Sequence, residues 1–263
     1  MIKKVIKIVE DAKKIVTKPF EVEQKDGFAN IVTTADEQVQ QFLTEKLQKL
    51  IEGSAVLGEE STHDSVFNAK YCWIIDPIDG TSNFARGLNQ SAISVALKED
   101  DEIVLGVVYN PFTEDLFYAE KGKGAYLNGK KISVSARPFA DGLLCTAMSL
   151  YKKEYAPMCF EVIEEAYYKC NDIRRFGSCA LELCYLAAGM CDLYFEIRVF
   201  PWDFAAAQLI LKEAGGVITT LNDEEVYFDK PILLIAANSR QNHKTLSEIV
   251  SKHIKRIPYK EGL

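Results

Sequence analysis

The sequence predicts an α/β (α+β) protein in two lobes, and three observations predict it. Two stretches of helical periodicity open the chain, short apolar segments bounded by turn residues follow, and past Pro138 strand-like and helix-like segments alternate. At 263 residues, 48% of them apolar, the chain is long enough to bury a large core.

From Ile2 to Val16 the apolar residues Val5, Ile6, Val9, Ala12, Ile15 and Val16 recur at three- and four-residue steps, which predicts an amphipathic surface helix. Thr33, Thr34 and Asp36 offer caps for a second helix through Val39, Phe42, Leu43, Leu47 and Leu50, ending near Gly53. Apolar runs at 55–57, 71–75, 92–97, 103–109 and 116–119 predict strands of one sheet. Asn128-Gly129 between two short strand-like segments is the strongest hairpin signal in the chain and closes the first lobe, residues 1–140. The second lobe, 141–263, reads as strand 143–149, helix 154–169, strand 172–176, helix 178–188, strand 192–196 and helix 202–214. Gly215-Gly216 ends that helix, and strands near Val217 and Leu233 lead to a last helix from about Ser239. Tyr167-Tyr168 and the apolar positions of 181–188 read as helix packing, and Met148, Met158 and Met190 as core filling. No linker separates the lobes, so they form one unit with a packing boundary.

No apolar run approaches the roughly 20 residues a bilayer demands, which predicts no membrane association. Seven cysteines form no C-x-x-C pair and sit in apolar patterns, which predicts reduced core thiols in the cytoplasm. A net charge of -7 argues against a nucleic-acid partner, whose phosphates need clustered Lys and Arg. No phosphate-binding G-x-x-x-x-G-K-[ST] loop and no G-x-S-x-G elbow occurs.

The stretch WIIDPIDGTSNF, residues 73–84, ends an apolar strand on two aspartates. Pro77 disfavours helical geometry at Asp76, so the strand stays extended and delivers that carboxylate to the sheet rim. Asp79 follows at the turn, Gly80 permits unusual backbone geometry, and Thr81, Ser82 and Asn83 start a helix whose free N–H groups suit an anion. Neighbouring carboxylates repel unless a proton or cation compensates, and oxygen donors select hard ions such as Mg2+ or Mn2+. The histidines, His63, His243 and His253, lie elsewhere, which weighs against zinc. Taken alone, D-P-x-D-G is equally a turn. GEES (58–61) places Glu59 after another strand, WDFAAAQLILKEAGG (202–216) opens a helix with Asp203, and VTTAD (32–36) offers Asp36. Singly these read as a loop acid and two helix caps.

Together the four ordered motifs resemble the inositol monophosphatase family over nearly the whole chain. The resemblance implies a layered αβαβα sandwich of the inositol monophosphatase / sugar phosphatase type, with the metal site between the lobes. It implies Mg2+ at two to three ions per subunit, with Mn2+ as a substitute. Glu59, Asp76 and the Ile78 carbonyl would hold one ion, and Asp76, Asp79 and Asp203 a second. Glu59, Asp79, Thr81 and Asp36 would form the catalytic set, Thr81 and Asp36 orienting the attacking water, while the N–H groups of Gly80 and Thr81 hold phosphate oxygens. Lys25 matches a family lysine near that water. Gly177, Ser178, Cys179 and Glu196 would face the substrate alongside Asp79, and Arg174 and Arg175 are further candidates that read equally as a solvated pair. The implied activity is hydrolysis of a small phosphate monoester, myo-inositol 1-phosphate foremost, in a lithium-sensitive homodimer. Fructose 1,6-bisphosphate, histidinol phosphate and 3'-phosphoadenosine 5'-phosphate are alternatives, and a non-catalytic scaffold is the reading from another class.

Overall fold

The computed structural model describes residues 1–24, 31–60, 69–149 and 152–256. Helix α1 (Ile2–Val16) buries Val5, Val9, Ala12 and Val16. A small antiparallel ladder of β1 (Val22–Gln24) and β2 (Ile31–Thr33), which the sequence does not signal, leads into α2 (Thr34–Gln48). The start of α2 is a capping box, in which Asp36 Oδ2 accepts the Thr33 N–H at 2.8 Å. Helix α2 stops at Gln48, short of the expected Gly53, because residues 49–53 turn back toward the sheet.

Seven strands form one sheet in chain order: β3 (Ala55–Gly58), β4 (Tyr71–Asp79), β5 (Ala92–Glu99), β6 (Glu102–Asn110), β7 (Asp115–Glu120), β8 (Ala125–Leu127) and β9 (Lys130–Ile132). β3 runs parallel to β4, and every other neighbouring pair is antiparallel. Asn128 and Gly129 both adopt positive φ between β8 and β9, the requirement of a two-residue hairpin turn. The short helix α3 (Thr81–Ala85) branches off the end of β4.

A second sheet has the order β11-β10-β12-β14-β13, from β10 (Leu143–Ala147), β11 (Asp172–Arg174), β12 (Leu193–Val199), β13 (Val217–Thr219) and β14 (Ile232–Ala237). β10 and β11 end earlier than their apolar runs predict and β12 ends later, at Val199. Helices α4 (Ala156–Tyr167), α5 (Cys179–Ala187), α6 (Pro201–Glu213) and α7 (Arg240–His253) complete the chain.

Three cores order these elements into five layers. α1 and α2 pack on one face of the first sheet through Val9, Val39, Leu43, Trp73 and Val95. The other face, with Ile74, Ala96 and Phe117, meets α5, α6 and the inner face of the second sheet. That sheet's outer face, with Leu193, Phe195 and Ile235, is covered by α4 and α7. This αβαβα sandwich follows from alternation: successive strand residues point to opposite faces, and both faces here are apolar. α6 sits deep because Gly106 of β6 carries no side chain. A Cβ there would stand 2.5 Å from the Ala206 carbonyl oxygen.

Two packing expectations are corrected. Tyr167 and Tyr168 are exposed at the end of α4, and Met190 is likewise at the surface. The cysteines of the described structure are all free, with the Sγ atoms of Cys145 and Cys191 3.0 Å apart. Among the described residues no helix is long and apolar enough to cross a membrane.

Candidate active site

A cavity of about 580 Å³ opens where the two sheets meet α3, α5 and α6. Glu59, Asp76, Ile78, Asp79, Gly80, Thr81 and Ser82 line one wall. Gly177, Ser178, Cys179, Glu196 and Asp203 line the other, with Arg175 at its mouth. The expected site residues are thereby gathered from distant parts of the chain, with three exceptions. Asp36 is wholly buried behind the wall, Arg174 turns outward to pair with Asp172, and Lys25 lies outside the described residues.

The D-P-I-D segment differs in one respect from a plain strand end. β4 continues through Pro77 to Asp79, with a register shift against β5 between Asp76 and Asp79. This bulge lets proline sit in a strand and puts both aspartates at the cavity, where simple alternation would send residues three apart to opposite faces. Asp76 Oδ1 accepts the Ile78 N–H at 3.0 Å. Asp79 Oδ2 accepts the Ser178 hydroxyl at 2.6 Å and the Ala180 N–H at 2.7 Å, so the first lobe's carboxylate caps the N-terminus of α5. Asp203 Oδ2 accepts the Phe200 N–H at 2.7 Å at the start of α6. Thr81 Oγ1 lies 3.2 Å from the Ile78 carbonyl oxygen and 3.4 Å from Asp36 Oδ1, which brings Thr81 and the buried Asp36 side by side.

Charge is concentrated here. Burial pushes Asp76 well above the ordinary carboxylate range, and Glu59, Asp79, Asp203 and Asp36 push it further. Asp203 is raised by burial and then by Asp79 and Glu59. Asp79 reaches only about 6, since the hydrogen bonds from Ser178, Ala180 and Cys179 offset part of its burial. Such a cluster must hold protons or a cation. Its donors are all oxygens, which fits Mg2+ or another hard ion and not zinc. Among the described residues no three His, Cys, Asp or Glu side chains are grouped as a ready-made metal cage. A hard ion here would draw the rest of its shell from the Ile78 carbonyl and water.

The turn Gly80–Thr81 beside the carboxylates is tightly enclosed. Gly80 has φ +89°, and a Cβ there would stand 2.9 Å from the Gln90 carbonyl oxygen and 3.0 Å from that of Gly177. Asn83 Nδ2 donates to the carbonyls of Gln90 at 2.8 Å and Phe176 at 2.6 Å, and the second of these bonds ties the motif to the opposite wall. Across the cavity, Glu196 accepts the Tyr194 hydroxyl at 2.6 Å and is raised by burial to about 7.

The model of the inositol monophosphatase family matches residues 1–255. The chain belongs to the inositol monophosphatase family. Its members are phosphatases of small phosphate monoesters. This inositol monophosphatase family chain is 38% identical over 229 residues to the inositol-1-monophosphatase of Caulobacter vibrioides, covering 85% of this chain and 88% of that one. It is 36% identical over 207 residues to the Nus factor SuhB of Pasteurella multocida, covering 78% of each. Among solved structures, an IMPase of Thermotoga maritima superposes with a TM-score of 0.85 at 32% identity, over 96% of this chain and 97% of that one.

Several site residues of this family member escape a reading of the sequence alone. Met148, assigned to the core, lines the cavity with Ser149, Lys152 and Arg198. Phe200 stacks on Trp202 at 4.9 Å, and the Arg198 guanidinium lies 4.5 Å from the Phe200 ring centre. The only signal in sequence is that 196, 198 and 200 alternate along the extended segment that leads into α6.

Proposed function

We propose that this chain is a Mg2+-dependent hydrolase of a polyol phosphate monoester, with myo-inositol 1-phosphate as the first candidate. The observation that carries the reading is the meeting, in one cavity, of Glu59, Asp76, Asp79 and Asp203 with the Gly80–Thr81 turn, facing Glu196 and Ser178. In this reading Glu59, Asp76, Asp79, Asp203 and the Ile78 carbonyl hold two to three Mg2+ ions, with Mn2+ as a substitute. When bound, the ions neutralise the phosphoryl oxygens, make a water more acidic and stabilise the leaving alkoxide.

The remaining work belongs to the protein. The N–H groups of Gly80 and Thr81, which at the start of α3 have no partner within the helix, hold phosphate oxygens. Thr81 Oγ1, fixed between Asp36 and the Ile78 carbonyl, orients the attacking water in line with the phosphorus. Glu196, anchored by Tyr194, accepts hydroxyl hydrogen bonds from the polyol. Lithium sensitivity, a homodimer and a cytoplasmic setting belong to the same reading.

Two observations favour other readings. Lys152, Arg175 and Arg198 line the same cavity and would suit a second phosphate, as in fructose 1,6-bisphosphate. Relatives named Nus factor SuhB favour a partner-binding role, with or without catalysis. The test is phosphate release, with and without Mg2+, from inositol 1-phosphate, fructose 1,6-bisphosphate, histidinol phosphate and 3'-phosphoadenosine 5'-phosphate in parallel. A Mg2+-dependent preference for inositol 1-phosphate is the expected result. Preference for another ester overturns the substrate, and no release from any of the four overturns the hydrolase.

A further inference from the structure

Helix α5 is apolar along its length except at Glu182, a carboxylate wholly removed from solvent. Its Oε1 accepts two backbone N–H groups from the turn before the helix, Phe176 at 2.5 Å and Gly177 at 2.9 Å. Its Oε2 is buried with no hydrogen-bond partner. A half-satisfied carboxylate in an apolar core is costly, and leucine would fill the same space without that penalty.

The turn it holds touches both halves of the cavity. The Gly177 carbonyl closes over Gly80, the Phe176 carbonyl accepts from Asn83, and the Ser178 hydroxyl donates to Asp79. Neither the Phe176 nor the Gly177 amide lies within α5, and Glu182 is the acceptor the structure gives these two part-buried donors.

We propose that Glu182 is a positioning residue for the active site: by accepting the Phe176 and Gly177 amides it fixes the turn that seats Asp79 and encloses the Gly80–Thr81 phosphate cradle. The proposal rests on the phosphatase reading for its kinetic consequence, but not for its structural one. The proton on Glu182 is secondary, since the carbonyl oxygen of a glutamine could accept the same two amides.

The experiment compares the full wild-type chain with E182Q and E182L by amide hydrogen exchange and by calorimetric binding of inorganic phosphate in the presence of Mg2+. The same proteins are assayed for kcat and KM on whichever ester the wild type hydrolyses. The Phe176 and Gly177 amides should exchange slowly in wild type and E182Q. In E182L they should exchange fast while the core strands stay protected, and phosphate affinity and kcat/KM should fall about 10- to 100-fold, the usual effect of losing an outer partner of a site. E182Q should stay within about threefold of wild type, below that range. Wild-type Phe176 and Gly177 amides that exchange as fast as exposed loops overturn the proposal, whatever the variants do. A folded E182L with wild-type phosphate affinity overturns it too, and so does an E182Q as impaired as E182L. If E182L fails to fold, the wild-type and E182Q arms decide. A wild type that hydrolyses no ester overturns the phosphatase reading alone, because the exchange data still judge the turn.

Discussion

Apart from Glu59, one wall of the cavity comes from a single stretch, residues 76–82, in which strand end, bulge, turn and helix start follow one another. The facing wall is collected from the turn before α5, the end of β12 and the start of α6, and each piece has a contact remote in sequence: Asn83 to the Phe176 carbonyl, β10 alongside β12, and the Ser94 hydroxyl to the Trp202 carbonyl. The continuous wall owes its shape to local backbone chemistry, chiefly Pro77, Gly80 and the bulge. The collected wall owes its shape to hydrogen bonds across the interface, with Asp79 and Asn83 at the crossing points, and to Glu182, which braces the turn from within the same wall. Damage to the first should therefore strike chemistry directly, whereas damage to the second should act through alignment.

The largest effect is expected from Asp79→Asn. The asparagine oxygen can still accept from Ser178 and Ala180, so the fold should survive with a melting temperature close to wild type, while Mg2+-dependent turnover falls by more than about 100-fold. Equal losses of stability and turnover would show that Asp79 serves mainly as the α5 cap. Gly80→Ala comes next. The left-handed backbone and the two carbonyls around the missing Cβ should cost about 1–3 kcal/mol in denaturant unfolding and lower kcat about tenfold or more by displacing the cradle. Asn83→Ala removes the bond to Phe176 that crosses between the walls and the bond to Gln90 that steadies Asn83 on its own side. We expect a loss of about 1–3 kcal/mol and a rise in KM larger than the fall in kcat. A kcat effect alone would place Asn83 in the chemistry and not in the alignment.

The smallest effect is a slope. Burial raises folded Glu182 to about 8 from an ordinary value of 4.5. The folded chain therefore keeps a proton that the unfolded chain has lost, and the stabilisation is full below about 4.5 and lost as pH rises through about 8. Without added metal, urea midpoints should fall across that window, and E182Q should flatten the fall relative to wild type. Parallel curves for the two proteins would show that Glu182 titrates normally.

The contrast between the walls also explains what was legible. D-P-I-D-G-T, G-E-E and W-D each hold their acidic residues in short local motifs, so their joint resemblance to the family picks out from sequence the carboxylates that the cavity brings together. The continuation of β4 through Pro77 could not be, because only pairing with β5 holds proline in that strand. Glu182 was hidden in a segment whose periodicity says only buried helix, although a lone charge in such a helix is itself a signal. Met148, Lys152 and Arg198 joined the cavity because strand ends and loops from different layers converge there, a result no local pattern encodes.

By itself the sequence determined the period of the main helices and strands and the acidic residues at strand and helix ends. Those are local consequences of backbone sterics, side-chain alternation and capping. Only the tertiary structure decided that Asp79 caps a helix about 100 residues away, that Gly106 lets α6 into the middle layer, and that the turn before α5 closes over Gly80. These depend on close packing between elements, where a displacement of a few tenths of an ångström separates contact from clash, and sequence spacing does not carry that precision.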